Sequence, residues 1–149
     1  MTDFISVSEI RARMSSAIVT ALSDYRISRH AYEDFPRAET RQIVHKSFAV
    51  HFPNTAPDPL DVRQYLAKGS MVNTAAQVRV AYRIKADSSV TDTDLALDAE
   101  HEVIKALLTT SRAGGLTIRF EAVDTRRVLD SIIHLSDLRF RLIHRFALS

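Results

Sequence analysis

Residues 77–86 read Gln77-Val78-Arg79-Val80-Ala81-Tyr82-Arg83-Ile84-Lys85-Ala86. In an extended chain Val78, Val80, Tyr82 and Ile84 share one face, while Gln77, Arg79, Ala81, Arg83 and Lys85 share the other. This is the strongest strand signal in the chain. A few residues later the period changes. Leu95, Ala96, Ala99, Val103, Ala106 and Leu107 recur at helical spacing, and Leu97, Ile104 and Leu108 form a second stripe. A helix apolar on two sides buries two sides. It is predicted to lie between its own sheet and another helix or subunit. Thr91 is placed to cap this helix, Asp92 and Asp94 suit the positive end of its dipole, and Val90 and Leu95 are placed to staple it.

Upstream, Ser6-Val7-Ser8-Glu9 fits a capping box, with Ile5 and Ile10 placed as a hydrophobic staple. Ile10, Met14, Ala17, Ile18, Ala21 and Leu22 then predict an amphipathic helix over 7–23. Residues 25–44 are apolar enough to pack, through Tyr25, Ile27, Tyr32 and Phe35, and Phe35-Pro36 favours extended backbone. Phe48, Val50 and Phe52 alternate in a strand over 46–52 that Pro53 is expected to close. Residues 53–75, with Pro53, Pro57, Pro59 and Gly69-Ser70, read as an extended loop or arm. Arg63, Tyr65 and Lys68 on this arm are candidate docking residues.

Downstream, Gly114-Gly115 ends the helical region. Residues 116–123 predict a strand with Leu116, Ile118, Phe120 and Ala122 on one face. Residues 124–130 read as a turn or distorted strand. The last strand, 138–148, sets Leu138, Phe140, Leu142, His144, Phe146 and Leu148 against Asp137, Arg139, Arg141, Ile143, Arg145 and Ala147. The expected fold is α+β: one domain over 1–149, with a mostly antiparallel sheet of about four strands covered on one face by two helices.

Composition narrows the function. The chain has 149 residues, 46% hydrophobic and 26% charged, with 3 Gly, 4 Pro and no Cys. Disulfides, thiolate metal sites and cysteine nucleophiles are excluded. No apolar run is long enough for a membrane span, and residues 1–14 lack the apolar stretch of a secretory signal. Three glycines leave nothing for a phosphate-cradling loop. The histidines, His30, His45, His51, His101, His134 and His144, form no ligand pair at helical or strand spacing. Asp87, Asp92, Asp94, Asp98, Glu100 and Glu102 lack the pattern of a calcium loop and read as helix-start electrostatics. No catalytic constellation, metal site or cofactor site is expected, and the chain does not read as an enzyme.

The net charge is only +2, from 20 basic and 18 acidic residues. Lysine occurs only at positions 46, 68, 85 and 105; the rest of the basic set is arginine, a residue enriched at protein interfaces. Arg79, Arg83 and Lys85 share one strand face, and Arg139, Arg141 and Arg145 another. Two readings stand: a solvated face neutralised by acids such as Glu121 and Asp137, or a partner surface. Nucleic-acid binding through stacked bases is disfavoured, because the aromatics lie on the apolar side.

Four stretches carry a family resemblance. These are the helix over 6–23; Lys46-Ser47-Phe48-Ala49-Val50 followed by a proline-rich loop reaching Arg63-Gln64; the strand 78–84 running into the helix 92–108; and the closing strand 138–148 with alternating Phe and Arg. Together they resemble the tail terminator (tail completion) proteins of tailed bacteriophages. The resemblance implies a structural virion protein made in the host cytoplasm and placed at the tail–neck junction. Such subunits close into a hexameric ring that caps the tail tube and joins it to the neck or head-completion protein. DNA passes through the lumen without sequence-specific binding. On this reading Arg79, Arg83, Lys85, Asp92, Asp94, Arg139 and Arg141 are candidate subunit-interface residues, basic sheet face meeting acidic helix start. The alternatives are another neck or tail component, such as a head-closure or tail-tube protein, and a small cytosolic nucleic-acid-binding module.

Overall fold

The structure is a computed structural model that describes residues 6–27, 45–57, 69–110, 116–128 and 133–147. The elements in chain order are α1 (Val7–Ala21), β1 (Arg26–Ile27), β2 (Ser47–Pro57), β3 (Gly69–Arg83), α2 (Ser89–Thr110), β4 (Thr117–Val128) and β5 (Ile133–Ala147). The strands form one five-stranded sheet in the order β1-β2-β3-β5-β4. Only β1 and β2 run parallel; the other pairings are antiparallel. The fold is α+β, with one more strand than the sequence predicts. That extra strand is β1, two residues long with both residues exposed; Ile27, expected to pack, is 62% exposed.

Both helices pack on the same sheet face. Ile10, Met14 and Ile18 of α1 and Ala96, Ala99, Val103 and Leu107 of α2 meet Phe48, Val50, Val78, Val80, Tyr82, Leu138, Phe140 and Leu142 in one apolar core. The Ser6 side chain caps α1 by accepting from the Glu9 N–H at 3.2 Å, the first half of the expected box. The expected partner of the staple, Ile5, lies outside the described residues. β1 is tied to β2 at its start: the Arg26 N–H donates to the Lys46 carbonyl at 3.0 Å, and Lys46 Nζ lies 2.6 Å from Asp24 Oδ2.

The sheet departs from the sequence expectations at four places. Pro53 does not end β2. It sits where the pairing slips between His51 and Asn54, and the ladder with β3 resumes to Pro57. A bulge tolerates a residue without an N–H, which is the physical reason. Strands therefore enter the predicted 53–75 arm from both ends, since β3 begins at Gly69; residues 58–68 lie outside the described residues. Residues 124–128 are regular strand, not turn, and β5 begins at Ile133, five residues early. Finally, β4 carries a bulge between Phe120 and Ala122. The extra residue inverts the alternation, so Ala122 leaves the helix-covered face and Val123 takes it.

The start of α2 also differs. A 3-10 turn (Ala86–Ser88) leads straight into Ser89, ahead of the predicted cap at Thr91. Asp92 makes the junction instead. Its Oδ2 accepts from the Lys85 N–H at 2.8 Å and the Ser88 hydroxyl at 2.9 Å. Val90 is 74% exposed and Leu95 46%, so the predicted staple does not bury them.

Candidate functional site

The face of the sheet away from the helices carries most of the predicted interface residues. Register places Arg79 and Arg83 of β3, Arg139 and Arg141 of β5, and Arg119 and Arg126 of β4 on it. Asp137 of β5 and Asp124 of β4 lie among them, and Glu121 of the β4 bulge reaches this face to meet Arg141. The charges interlock. Arg79 Nε lies 2.6 Å from Asp137 Oδ1 and Arg79 Nη2 3.3 Å from Oδ2, a two-pronged contact between strands. Arg126 reaches the same carboxylate at 3.9 Å. Arg139 pairs with Asp124 at 3.1 Å, and Arg141 with Glu121 at 3.2 Å.

The arginine face is thus a checkerboard, and the two readings of it merge. Glu121 and Asp137 do neutralise their neighbours, yet the arginines named on this face outnumber its acids Glu121, Asp124 and Asp137. The Arg79–Asp137 pair is largely shielded, at 17% and 13% exposure. Arg139 and Arg141, at 56% and 53%, remain open to a partner.

Lys85, Asp92 and Asp94 stand apart from this face. Lys85 follows β3, and Asp92 and Asp94 lie in the first turns of α2, which packs on the opposite side of the sheet. The hydrogen bond from the Lys85 N–H, before that from Ser88, holds the Asp92 carboxyl below its ordinary range. Within one chain the structure therefore brings Arg79, Arg83, Arg139 and Arg141 together and leaves Lys85, Asp92 and Asp94 elsewhere. Arg63, Tyr65 and Lys68 lie outside the described residues.

A buried polar cluster lies between α2 and β5. Ser136 Oγ donates to Glu100 Oε1, and His134 Nε2 lies 3.0 Å from the same oxygen. All three residues are buried. The carboxylate accepts only, so His134 presents its Nε2–H to it. The sequence groups Glu100 with the acids at the start of the helix, whereas the structure buries it in the core. Its spacing held the contrary signal: Ala96, Glu100, Val103 and Leu107 follow one helical stripe, and His134 and Ser136 share strand parity with Leu138. Ser136 hydrogen-bonds the carboxylate rather than the imidazole, and the cluster is sealed in the core. The geometry is that of a structural clasp between helix and sheet.

The second stripe of α2 forms an exposed apolar flank. Leu97 and Leu108 are 45% and 41% exposed, and Phe120 on the β4 edge is 38% exposed. Thr93, on the same flank, accepts from Arg127 of β4 at 2.7 Å, which fixes the flank beside that strand. Between α1 and α2 runs an open groove of about 560 Å³ floored by Ala17, Ala21 and Ala106. Thr20, Thr109 and Thr110, whose hydroxyls donate to carbonyls four residues back, also line it. Among the described residues no three His, Asp or Glu side chains are grouped to hold a metal ion. No described helix is long and apolar enough to cross a membrane.

No family model and no curated protein matches the chain. Solved structures do. A chain of the virion of a native gene transfer agent particle superposes with a TM-score of 0.53 at 15% identity, covering 91% of this chain and 94% of that one. The two share a fold over nearly their whole length.

Proposed function

We propose that this protein is a structural subunit of a phage-like virion and works by assembly rather than by catalysis. The observation that carries the reading is the end-to-end fold likeness to a chain of a gene transfer agent virion. Within that class we assign it to the tail–neck joint, as a tail terminator whose hexameric ring caps the tail tube and meets the neck or head-completion protein. The single domain over 1–149 would then be the ring subunit. DNA would traverse the lumen without sequence-specific contacts. The exposed flank of Leu97 and Leu108 supports an assembling subunit, because such a stripe is normally covered.

The interface set follows from charge. A ring joins two different patches of the subunit. Arg83, Arg139 and Arg141 on the sheet face, together with Lys85 beyond the end of β3, are proposed to meet the acidic start of a neighbour's α2 at Asp92 and Asp94. Arg79 supports that face through Asp137 rather than reaching across. Arg63, Tyr65 and Lys68 are proposed to dock on the tube or neck. The test is native mass spectrometry of the chain alone and with purified tail tubes. A six-fold ring, or six copies on each tube end, supports the assignment. A chain that stays monomeric and ignores tube ends overturns it, and salt-sensitive DNA binding by that monomer would favour the nucleic-acid module instead.

A further inference from the structure

Between the end of α1, the start of β2 and the first half of α2 lies a cleft of about 220 Å³. Asp24, Asp98 and Glu102 give it three carboxylates, Tyr25 and Tyr82 two phenols, and Leu95 an apolar wall. We propose that this cleft receives the Arg119 guanidinium of a neighbouring copy of the chain. The contact rests on the ring reading and names a further meeting point for the two unlike patches of the subunit.

The lining calls for a cation with several donors. Asp24 already holds Lys46 Nζ at 2.6 Å, whereas Asp98 and Glu102 have no cationic partner among the described residues. They stand four residues apart on α2, so they are neighbours on one helix face. Tyr25 and Tyr82 are each 6% exposed and both line the cleft. Among the described residues neither hydroxyl has a hydrogen-bond partner. Buried hydroxyls are normally paired, so what enters the cleft completes them. Burial, then the neighbouring Tyr82 and Asp24, pushes the Tyr25 hydroxyl above its ordinary range. It stays protonated, able to accept from a guanidinium N–H while it donates to a carboxylate.

Shape narrows the choice further. Among the described residues no three acids are grouped to hold a metal ion. A point cation finds no cage here, while the planar five-donor fork of arginine spans spaced acceptors. The volume is below the ~300 Å³ at which small-molecule pockets begin, and it suits one long side chain. Lys46, on the rim, has a left-handed backbone with φ 57°, uncommon away from glycine. Its ion pair with Asp24 and the Arg26 N–H on its carbonyl hold it there, so the rim is shaped before a partner arrives.

Charge and place identify the occupant. Arg119 is exposed on β4 and lies directly across from Arg141. Like charges opposite one another destabilise a ladder. Arg139 and Arg141 have Asp124 and Glu121, but Arg119 has no acidic partner among the described residues. It is the surplus cation of the sheet face. Among the described strands β4 stands at one end of the sheet order. The cleft stands toward the other end, where Tyr25 precedes β1, Lys46 precedes β2 and Tyr82 belongs to β3. Subunits set side by side in a ring bring such opposite ends together. Asp94, Asp98 and Glu102 also follow at four-residue steps along α2, so the cleft continues the acidic patch proposed for the interface.

The test exchanges charge between the two patches and then mixes the products. Glu102→Arg and Arg119→Glu should each weaken self-association about tenfold or more, read by native mass spectrometry in solution and on tail tubes. Asp98→Asn with Glu102→Gln, which keeps side-chain size, should weaken it in the same direction. Far-ultraviolet circular dichroism confirms that each variant folds. An equal mixture of the Glu102→Arg chain and the Arg119→Glu chain should recover assembly, because each cleft can then meet a residue of opposite charge. The recovered ring should hold the two chains in equal number, in alternation. Folded variants that assemble as wild type does overturn the contact, as does a mixture that stays dissociated. Wild type that forms no ring and caps no tube end overturns the ring reading and this contact together. Wild type and variants that all form rings remove the contact alone, so the two failures are told apart.

Discussion

Arg79 and Asp137 face each other across the central strand pair β3 and β5, with Nε 2.6 Å from Oδ1 and the second prong at 3.3 Å. Both side chains are mostly shielded from solvent. Removing the carboxylate takes both prongs of this contact from a partly desolvated guanidinium, whereas most exposed ion pairs are worth little. Asp137→Ala is therefore expected to lower stability by about 1–3 kcal/mol. Arg139→Ala, which breaks a pair that is more than half exposed on both sides, should cost less than about 1 kcal/mol. Urea unfolding of the two variants checks the order, and equal losses would refute it.

The clasp at Glu100 gives a second contrast. Its carboxylate receives Ser136 Oγ and His134 Nε2 in the core. Glu100→Ala leaves two buried donors without an acceptor and should cost about 2–4 kcal/mol. Ser136→Ala removes one donor and leaves the other, so its cost should be roughly half. Chemical denaturation measures both, and a neutral Glu100→Ala would show that the clasp holds nothing.

These two sites differ in how legible they were. The strand–helix pair over 77–108 showed its two periods plainly, because β3 alternates without interruption and α2 repeats one apolar stripe. The cross-strand partners Glu121 and Asp137 were visible as acids beside arginines, although pairing distances need register. What the sequence hid was parity. The bulge at Glu121 moved Val123 to the core face, and Pro53 was absorbed by another slip in the ladder. Each depends on the neighbouring strand, which local spacing does not report. Glu100 is opaque to local spacing because a charged residue in an apolar stripe becomes intelligible only when His134 and Ser136 arrive from β5.

Histidine 45 provides a pH handle. Its Nδ1 accepts from the Arg83 N–H at 3.0 Å, and its ring packs against Tyr82 at 4.6 Å. Burial, then the charges of Lys46 and Arg83, push its pKa below 6.5. The folded state thus binds the proton less readily than the unfolded chain. The stability this contributes is complete above about pH 6.5 and is lost as pH falls from there toward the folded value. Wild type should lose more stability than His45→Asn between neutral pH and about pH 5. Parallel curves from denaturant titrations across that range would contradict the assignment.

Adjacent residues on α2 separate folding from assembly. Leu107 is fully buried beneath the helix, while Leu108 is 41% exposed on the flank beside β4. Leu107→Ala deletes core volume that the packed sheet cannot refill, so it should cost about 2–5 kcal/mol. Leu108→Ser, alone or with Leu97→Ser, forfeits apolar burial at the exposed part of the side chain only where a partner covers it. In the isolated subunit that change should stay within about 0.5 kcal/mol. If the flank is an assembly surface, the same variant should fold normally yet fail to form particles or cap tubes. Paired measurements of unfolding midpoint and particle mass resolve the two effects. A Leu97→Ser, Leu108→Ser variant that assembles as wild type does would remove the flank from the interface and leave the charged sheet face to carry it.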